Sequence, residues 1–466
     1  MTLEKKSLHE SRQLERYQRQ INRQRHLHYF ILMLILVTLS YIIDEISTNI
    51  NSSVTTNVIF DLFHITSRDI TSDEYVHAAN LVAILGLSSV PISFIAPFYK
   101  SLADRFGRRA FLSINTFGMA LGMLIIMCAP NPYVYMLGLT LVNFVIPNDV
   151  HILYIMESVQ PKHRVTCCNL MKAISILGIS SIGILRKIFV SSAHVASWRM
   201  LYLIPTLLAG TVSLLTLLLL TETPVFLKKR VRLLTGDPNQ SDNEQDTSVP
   251  APSAKGSVFK ALKFICQHKQ LRYLAICAVL FSLTSTASSF FNPIMVGGGM
   301  TELQISNVIF YYPFIYALIT FLSGLFSDKW GRKTTCLFFG SLSLCGLILF
   351  IFATKFVHNS VVAGIFYGCY IGGLWSAGDT LLMTMPQESS PTFLRASIVG
   401  VFSLTLLSGI VGLVLVLILY NFFRDYGWLC FWLSVPFMFI SLLLLYKKVH
   451  ETKDVDLNTI TGSEWD

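Results

Sequence analysis

Twelve apolar runs divide this chain, each close to the roughly 20 residues a helix needs to cross the hydrocarbon of a bilayer. They fall near 29–50, 78–99, 110–130, 133–156, 166–190 and 200–220, then near 272–294, 305–326, 334–354, 361–385, 396–420 and 427–446. Lipid offers no partner to an open backbone, so a chain with this pattern folds into helices. Composition agrees: 53% of the 466 residues are hydrophobic and 14% charged, where a soluble domain is about a quarter charged. Pro91, Pro97 and Pro313 interrupt the second and eighth runs, which membrane helices tolerate where neighbours take up the freed carbonyls. The expected class is an all-α membrane protein of 12 transmembrane helices.

The net charge of +9 would suit nucleic acid if it formed a patch, but its distribution points elsewhere. Lys5, Lys6, Arg12, Arg16, Arg19, Arg23 and Arg25 precede the first run, and nine further bases lie within 228–272. On the helix map roughly 30 of the 36 basic residues fall on one membrane side, the pattern that places both termini in the cytoplasm. Nucleic acid is therefore not an expected partner; the lipid bilayer is. The first run starts near Tyr29 without a small-residue cleavage site and is read as a span, not a leader. The nine cysteines are scattered, with no Cys-x-x-Cys pair, so no metal or cofactor is expected.

The expected organisation is a basic segment (1–28), a six-helix bundle (29–220), a linker (221–271), a second six-helix bundle (272–446) and a cytoplasmic tail (447–466). The linker's middle, 236–257, is rich in Pro, Ser, Asn and Asp and is expected to be disordered. Its flanks, FLKKRVRLL and VFKALKFICQH, are candidates for short amphipathic helices at the membrane surface. The segment 51–77 is the one sizeable outward loop expected.

A repeat ties the halves together. ADRFGRR around Asp104 returns as SDKWGRK around Asp328, an offset of 224. Glu157 and Arg164 return as Glu388 and Arg395 at 231, Trp198 as Trp428 at 230, and the Glu-Thr of 222–223 as that of 451–452 at 229. An even number of spans separates the copies, so the repeat is parallel. Each copy of the first motif puts an acid beside several bases on a Gly turn, Gly107 or Gly331. Such a cluster can pair in one arrangement of two bundles and part in the other.

This order resembles the signature loop of the major facilitator superfamily, and the resemblance extends over nearly the whole chain. ESVQPKHR (157–164) and ESSPTFLR (388–395) look like the Glu…Pro…Arg segments that end the fourth and tenth helices in sugar porters and organic-ion transporters. WRMLYLIP (198–205), TETPVFL (221–227) and ETKDVDLNTI (451–460) are similar to further elements of those branches. The resemblance implies a cytoplasmic gating network of Asp104, Arg105, Arg108, Arg109, Glu157, Arg164, Glu222, Asp328, Lys329, Arg332, Glu388, Arg395 and Glu451 that stabilises an outward-facing state. There are departures. Lys100 stands where the first loop usually begins with Gly, His450 replaces the Pro of the tail, and the seventh helix lacks the Gln-Gln pair with which sugar porters hold a hexose.

An ionisable group mid-membrane costs roughly 2.5–3.5 kcal/mol, so it usually serves a wet cavity. Asp44 and Glu45 lie in the first span, Asp149 and His151 in the fourth, Asp379 in the tenth. By the resemblance, the first, fourth, seventh and tenth helices line that cavity. Tyr41, Asp44, Glu45, Thr48 and Ser52 share about one third of the first helix's circumference. Thr284, Ser285, Ser288 and Asn292 form a polar stripe on the seventh, and Trp375 and Asp379, four apart, share a face of the tenth. Asp149 and His151 point roughly opposite ways on an ideal helix, so one of them faces a neighbouring helix unless Pro147 breaks the geometry. Tyr367, Tyr370 and Trp375 are candidates to stack on a solute, with core packing the alternative.

The expected function is secondary active transport of a small organic solute by alternating access, driven by protons. No phosphate-binding Gly-x-x-x-x-Gly-Lys loop occurs, and no nucleophile–base set suggests an enzyme. Several acids favour a cationic or neutral solute, although Lys172 and Arg186 would suit an anion if they turn inward. Sugar transport and a nutrient sensor are the alternatives. The expected protein is a monomer in the cell membrane.

Overall fold

A computed structural model describes residues 2–24, 26–67, 69–87, 106–145, 150–159, 164–190, 194–235, 254–391 and 394–453, with isolated positions 91, 95 and 99. The described residues are helical with short connections. In chain order the helices are α1 Thr2–Arg23, α2 Leu27–Leu62, α3 Asp73–Gly86, α4 Arg108–Met127, α5 Pro132–Val145, α6 Val150–Ser158, α7 Arg164–Gly178, α8 Ser180–Phe189, α9 Leu203–Leu219 and α10 Pro224–Thr235. They continue with α11 Ala254–Gln267, α12 Lys269–Leu283, α13 Thr286–Ser289, α14 Phe291–Gly297, α15 Glu302–Trp330, α16 Arg332–Phe352, α17 Ser360–Asp379, α18 Met385–Glu388, α19 Arg395–Leu404, α20 Ser408–Phe423 and α21 Tyr426–Lys448.

Among the described residues, 11 stretches are long and apolar enough to cross a membrane. The remaining expected span, 78–99, is described continuously only at its start, in α3. The architecture is that of a twelve-span bundle protein. Many spans are segmented where the sequence weakens the backbone ladder. The seventh is split into α12, α13 and α14, the fifth breaks between α7 and α8, and the tenth passes through a widened turn at Thr380–Thr384.

Two expectations are corrected. The outward loop expected at 51–77 begins later, because α2 runs on through Leu62. Ser53, Val54, Thr56 and Val58 are buried there, so tertiary packing prolongs the helix through polar sequence. The linker expected to be disordered over 236–257 is helical from Ala254 onward. The part 236–253 lies outside the described residues, as does the tail beyond 453. Both linker flanks are helices, α10 and α11.

By contacts the chain forms two compact units. Unit 1 is Met1–Thr48, Gly86–Gly178 and Tyr202–Ser248; unit 2 is Asn49–Leu85, Ile179–Leu201 and Val249–Asp466. This cut differs from the two sequence halves, because α2 gives its first part to unit 1 and its last part to unit 2. In unit 1, Met33, Leu36, Val37 and Tyr41 pack on Phe111, Leu112, Val150 and Tyr154. In unit 2, Phe291, Tyr312, Phe350 and Tyr367 form an aromatic core, with Tyr367 stacked on Phe291 at 3.9 Å.

Candidate functional site

In unit 1, the first and fourth spans bring an acid and an imidazole together. His151 Nε2 stands 3.9 Å from Asp44 Oδ2, and the side chains are 5% and 10% exposed. The Tyr41 ring stacks on the imidazole with centroids 3.9 Å apart. The hydroxyls of Ser47 and Thr48 donate to the backbone carbonyl of Asp44, at 3.0 and 2.9 Å. A buried carboxylate beside a buried imidazole is stable as a charged pair or as two neutral groups, and a single proton separates either state from a charged one. Glu45, one residue on, is half-buried. Asp149 lies outside the described residues. His151 is thus a residue of the fourth span that turns to the first helix.

In unit 2, Trp375 and Asp379 are both exposed on one face of α17, as their spacing predicts. Asn292 differs from expectation. It is fully buried, its Nδ2 donates to the Ser53 carbonyl at 3.0 Å, and its Oδ1 accepts from Thr56 N at 3.1 Å and Thr56 Oγ1 at 2.5 Å. Its amide is thus engaged by the turns of α2 that carry Ser53 and Thr56. Tyr367 and Tyr370 are buried too, and the Tyr370 hydroxyl donates to the Thr284 carbonyl at 2.8 Å. Both belong to the packed core, and of the three aromatics considered only Trp375 is exposed.

The loop charges form two clusters, one per unit. In unit 1, Arg108 binds Glu157 at 2.9 Å and the Thr223 hydroxyl donates to the same carboxylate at 2.5 Å. Glu222 lies against the start of α4, accepting from Arg109 N at 3.2 Å, where a carboxylate also suits the helix dipole. A Cβ on Gly107, at φ +102°, would stand 2.5 Å from that carboxylate. In unit 2, Arg332 binds Glu388 at 3.0 Å and the Thr452 hydroxyl donates to Glu388 at 2.6 Å. Glu451 accepts from Arg332 N at 2.7 Å beside Gly331, at φ +96°. Arg395 donates to the Ser390 carbonyl at 3.2 Å, and the Lys329 carbonyl accepts from Lys453. Asp104 and Arg105 lie outside the described residues, and so do the side chains of Arg164 and Asp328.

Sequence reasoning missed a polar cluster in unit 2. Arg186 is fully buried, where a residue turned toward an anion had been considered. Its guanidinium donates to the Glu302 carboxylate and to the Ser53 carbonyl. Glu302 also accepts from Asn57 Nδ2 at 3.0 Å. Nearby, Asp61 takes Trp198 Nε1 at 3.0 Å and Arg199 at 2.9 Å. The available signals were adjacent bases, Arg186 and Lys187, inside an apolar run and a Thr-x-x-Gln capping box (Thr301, Gln304) placing Glu302 in the first turn of α15.

The Major Facilitator Superfamily model matches residues 27–411 and, separately, 274–462. No curated protein matches the chain. Among solved structures, the xylose transporter XylE from E. coli in its inward open conformation shares 16% identity at a TM-score of 0.64, covering 93% of this chain and 99% of that one. A crystal structure of a D-xylose-proton symporter gives 14% and 0.63, covering 91% and 99%. A bacterial homolog of the human lysosomal transporter Spinster, inward-facing and unoccupied, gives 16% and 0.57, covering 90% and 95%. These likenesses show the same fold. With spans, repeat and family model in agreement, this chain is an integral membrane protein of the transporter type and belongs to the major facilitator superfamily.

Proposed function

We propose that the chain is a proton-coupled symporter of a small neutral or cationic organic solute, working by alternating access, with Asp44 as the coupling acid. The observation that carries this reading is the buried contact of Asp44 with His151 beneath Tyr41. A proton taken by this pair from one side neutralises a charge that is costly in the span, and loss of that proton to the other side resets the carrier. Exposed Asp379 and Trp375 are the groups of α17 offered to the solute, an acid for a cation and a ring for its apolar face. The loop clusters around Glu157 and Glu388 act as the gating network. Both termini are assigned to the cytoplasm from the basic loops, and the protein to the cell membrane as a monomer without nucleic-acid partners.

The structural likeness to xylose–proton symporters supports a sugar as the second substrate reading, in the sugar-porter and organic-ion branches. The test is uptake into proteoliposomes under an imposed pH gradient, with a metabolite pool supplying candidate solutes. Asp44→Asn is expected to abolish uphill uptake and its pH dependence while solute exchange at equal pH persists. Unchanged uphill uptake in Asp44→Asn would refute the coupling role.

A further inference from the structure

We propose that Arg186 and Glu302 form a reversible latch at the outer end of the bundle, the end of α2 away from the termini, which must open to admit solute from that side. The inference rests on the alternating-access reading above. Within unit 2, one guanidinium and one carboxylate tie three separate segments. Arg186 of α8 donates to Glu302 of α15 and to the Ser53 carbonyl of α2, while Glu302 accepts from Asn57 of α2 at 3.0 Å. A fourth segment joins at the same point, because Asn292 of α14 donates to that Ser53 carbonyl at 3.0 Å.

Backbone geometry sets the reach of the pair. A Cβ on Gly183 would stand 2.6 Å from Phe310 N and 2.7 Å from the Ser306 carbonyl, so α8 and α15 touch main chain to main chain. One turn along α8 and one turn back along α15, this antiparallel crossing brings Arg186 to Glu302. Beside them lies a cavity of about 730 Å³ lined by Thr56, Asn57, Arg186, Lys187 and Glu302 among others. The Glu302 side chain is 29% exposed and the Arg186 side chain 0%, so water reaches the carboxylate but not its partner.

The chemistry distinguishes a latch from a permanent strut. Burial of a charge pair nearly offsets its own attraction, so the closed pair holds with a small net gain. When the segments part, water enters and solvates both charges, and the open state carries no buried unpaired ion. The costly situation is the half-broken one, with Arg186 dry and alone. A contact with two tolerable states and an unfavourable middle suits a gate that must both hold and release.

The test uses the full-length protein in oriented vesicles with the reporter Met300→Cys, a buried position beside the cavity. A membrane-impermeant maleimide is added from the outer side, and labelling is read above the background of the parent protein. Glu302→Gln is expected to speed labelling about tenfold, because it strands Arg186 and favours the wet state. The neutral double variant Arg186→Met/Glu302→Gln is expected to return to within about threefold of the parent, since neither charge then calls for water. Labelling of Glu302→Gln at the parent rate would overturn the latch. Should Glu302→Gln not survive purification, Gly183→Val forces the same helices apart with both charges intact. It too must label faster, and failure to do so overturns the proposal. The readout needs neither solute nor proton flux, so a failed coupling test at Asp44 leaves this result standing.

Discussion

The two loop clusters are one motif folded twice, and their differences separate what the motif does from what its surroundings add. In both copies an Arg just after a Gly binds the Glu that ends a span, a Thr hydroxyl joins that Glu, and a second Glu caps the helix. The extras differ. In the first copy Arg109 reaches the Leu220 carbonyl at 3.2 Å, and Arg108 lies over the Phe226 ring. In the second, Arg332 adds the Ser327 carbonyl at 2.8 Å, and Lys333 lies over Tyr446. Bonds found in both copies mark the shared design; the other contacts named come from Leu220 and Phe226 beside the first copy and from Ser327 and Tyr446 beside the second.

The largest expected effect follows from the ion pairs. Arg108 and Glu157 are 12% and 13% exposed, Arg332 and Glu388 19% and 16%. Removing one partner of an enclosed pair strands the other, at a cost of about 3 kcal/mol. Arg108→Met should therefore lower the thermal unfolding midpoint of the solubilised protein more than Arg332→Met. The opposite order would show that enclosure does not govern the two copies.

Next come the glycines. Gly107 and Gly331 have φ +102°, ψ 154° and φ +96°, ψ 166°, a region closed to side chains at about 1–3 kcal/mol per residue. A Cβ would also strike the capping Glu at 2.5 Å in both copies. Gly107→Ala and Gly331→Ala should destabilise equally in the same melting assay. A clear inequality between them would break the symmetry of the motif.

This duplication explains what could be read from sequence. The spans were legible because lipid demands long apolar runs, and the loop partners because each charge recurred at a nearly constant offset. Arg186 and Glu302 have no repeat counterpart, so nothing in the pattern joined them. Asn292 was expected on a polar stripe of the seventh span, but the helical continuation of α2 to Leu62 brought Thr56 against it. Polar sequence at 51–57 reads as loop until the residues that bury it are known. Asp44 and His151 were each legible as ionisable groups in apolar runs, beside Glu45 and Asp149. Their contact was not, because Pro147 precedes His151 in the same run, and the rotation of a helix beyond a proline cannot be counted from its start.

A smaller effect tests the shared hydroxyl. Thr223→Val and Thr452→Val each remove one bond to a carboxylate that keeps its Arg, worth about 1.5 kcal/mol. Both melting points should fall by less than in the Arg variants. An unchanged melting point in one copy alone would demote that hydroxyl from the motif to its surroundings.

The smallest effect concerns a pair that lies outside the constant offset of the repeat. Gln24, just before α2, donates to Thr221 Oγ1 at 2.8 Å and to the Glu222 carbonyl at 2.5 Å. Gln270, at the start of α12, donates to the His450 carbonyl at 3.2 Å and accepts from His450 N at 3.0 Å. Each glutamine pins the segment that carries the capping Glu, yet the two are 246 apart whereas their partners Thr221 and His450 are 229 apart. In the first copy Tyr29 already holds Thr221, through Oγ1 at 2.7 Å and N at 2.9 Å, and Gln24 is only half-buried. Water and Tyr29 can therefore replace what Gln24→Ala removes. Gln270 is 2% exposed, and its loss leaves the His450 backbone groups without an equivalent, at about 1 kcal/mol. Gln270→Ala should thus lower the melting point measurably while Gln24→Ala leaves it nearly unchanged, reversing the order expected for the arginines. Because the two orders oppose each other, one series of melts on four single variants distinguishes local enclosure from any general difference in stiffness between the copies.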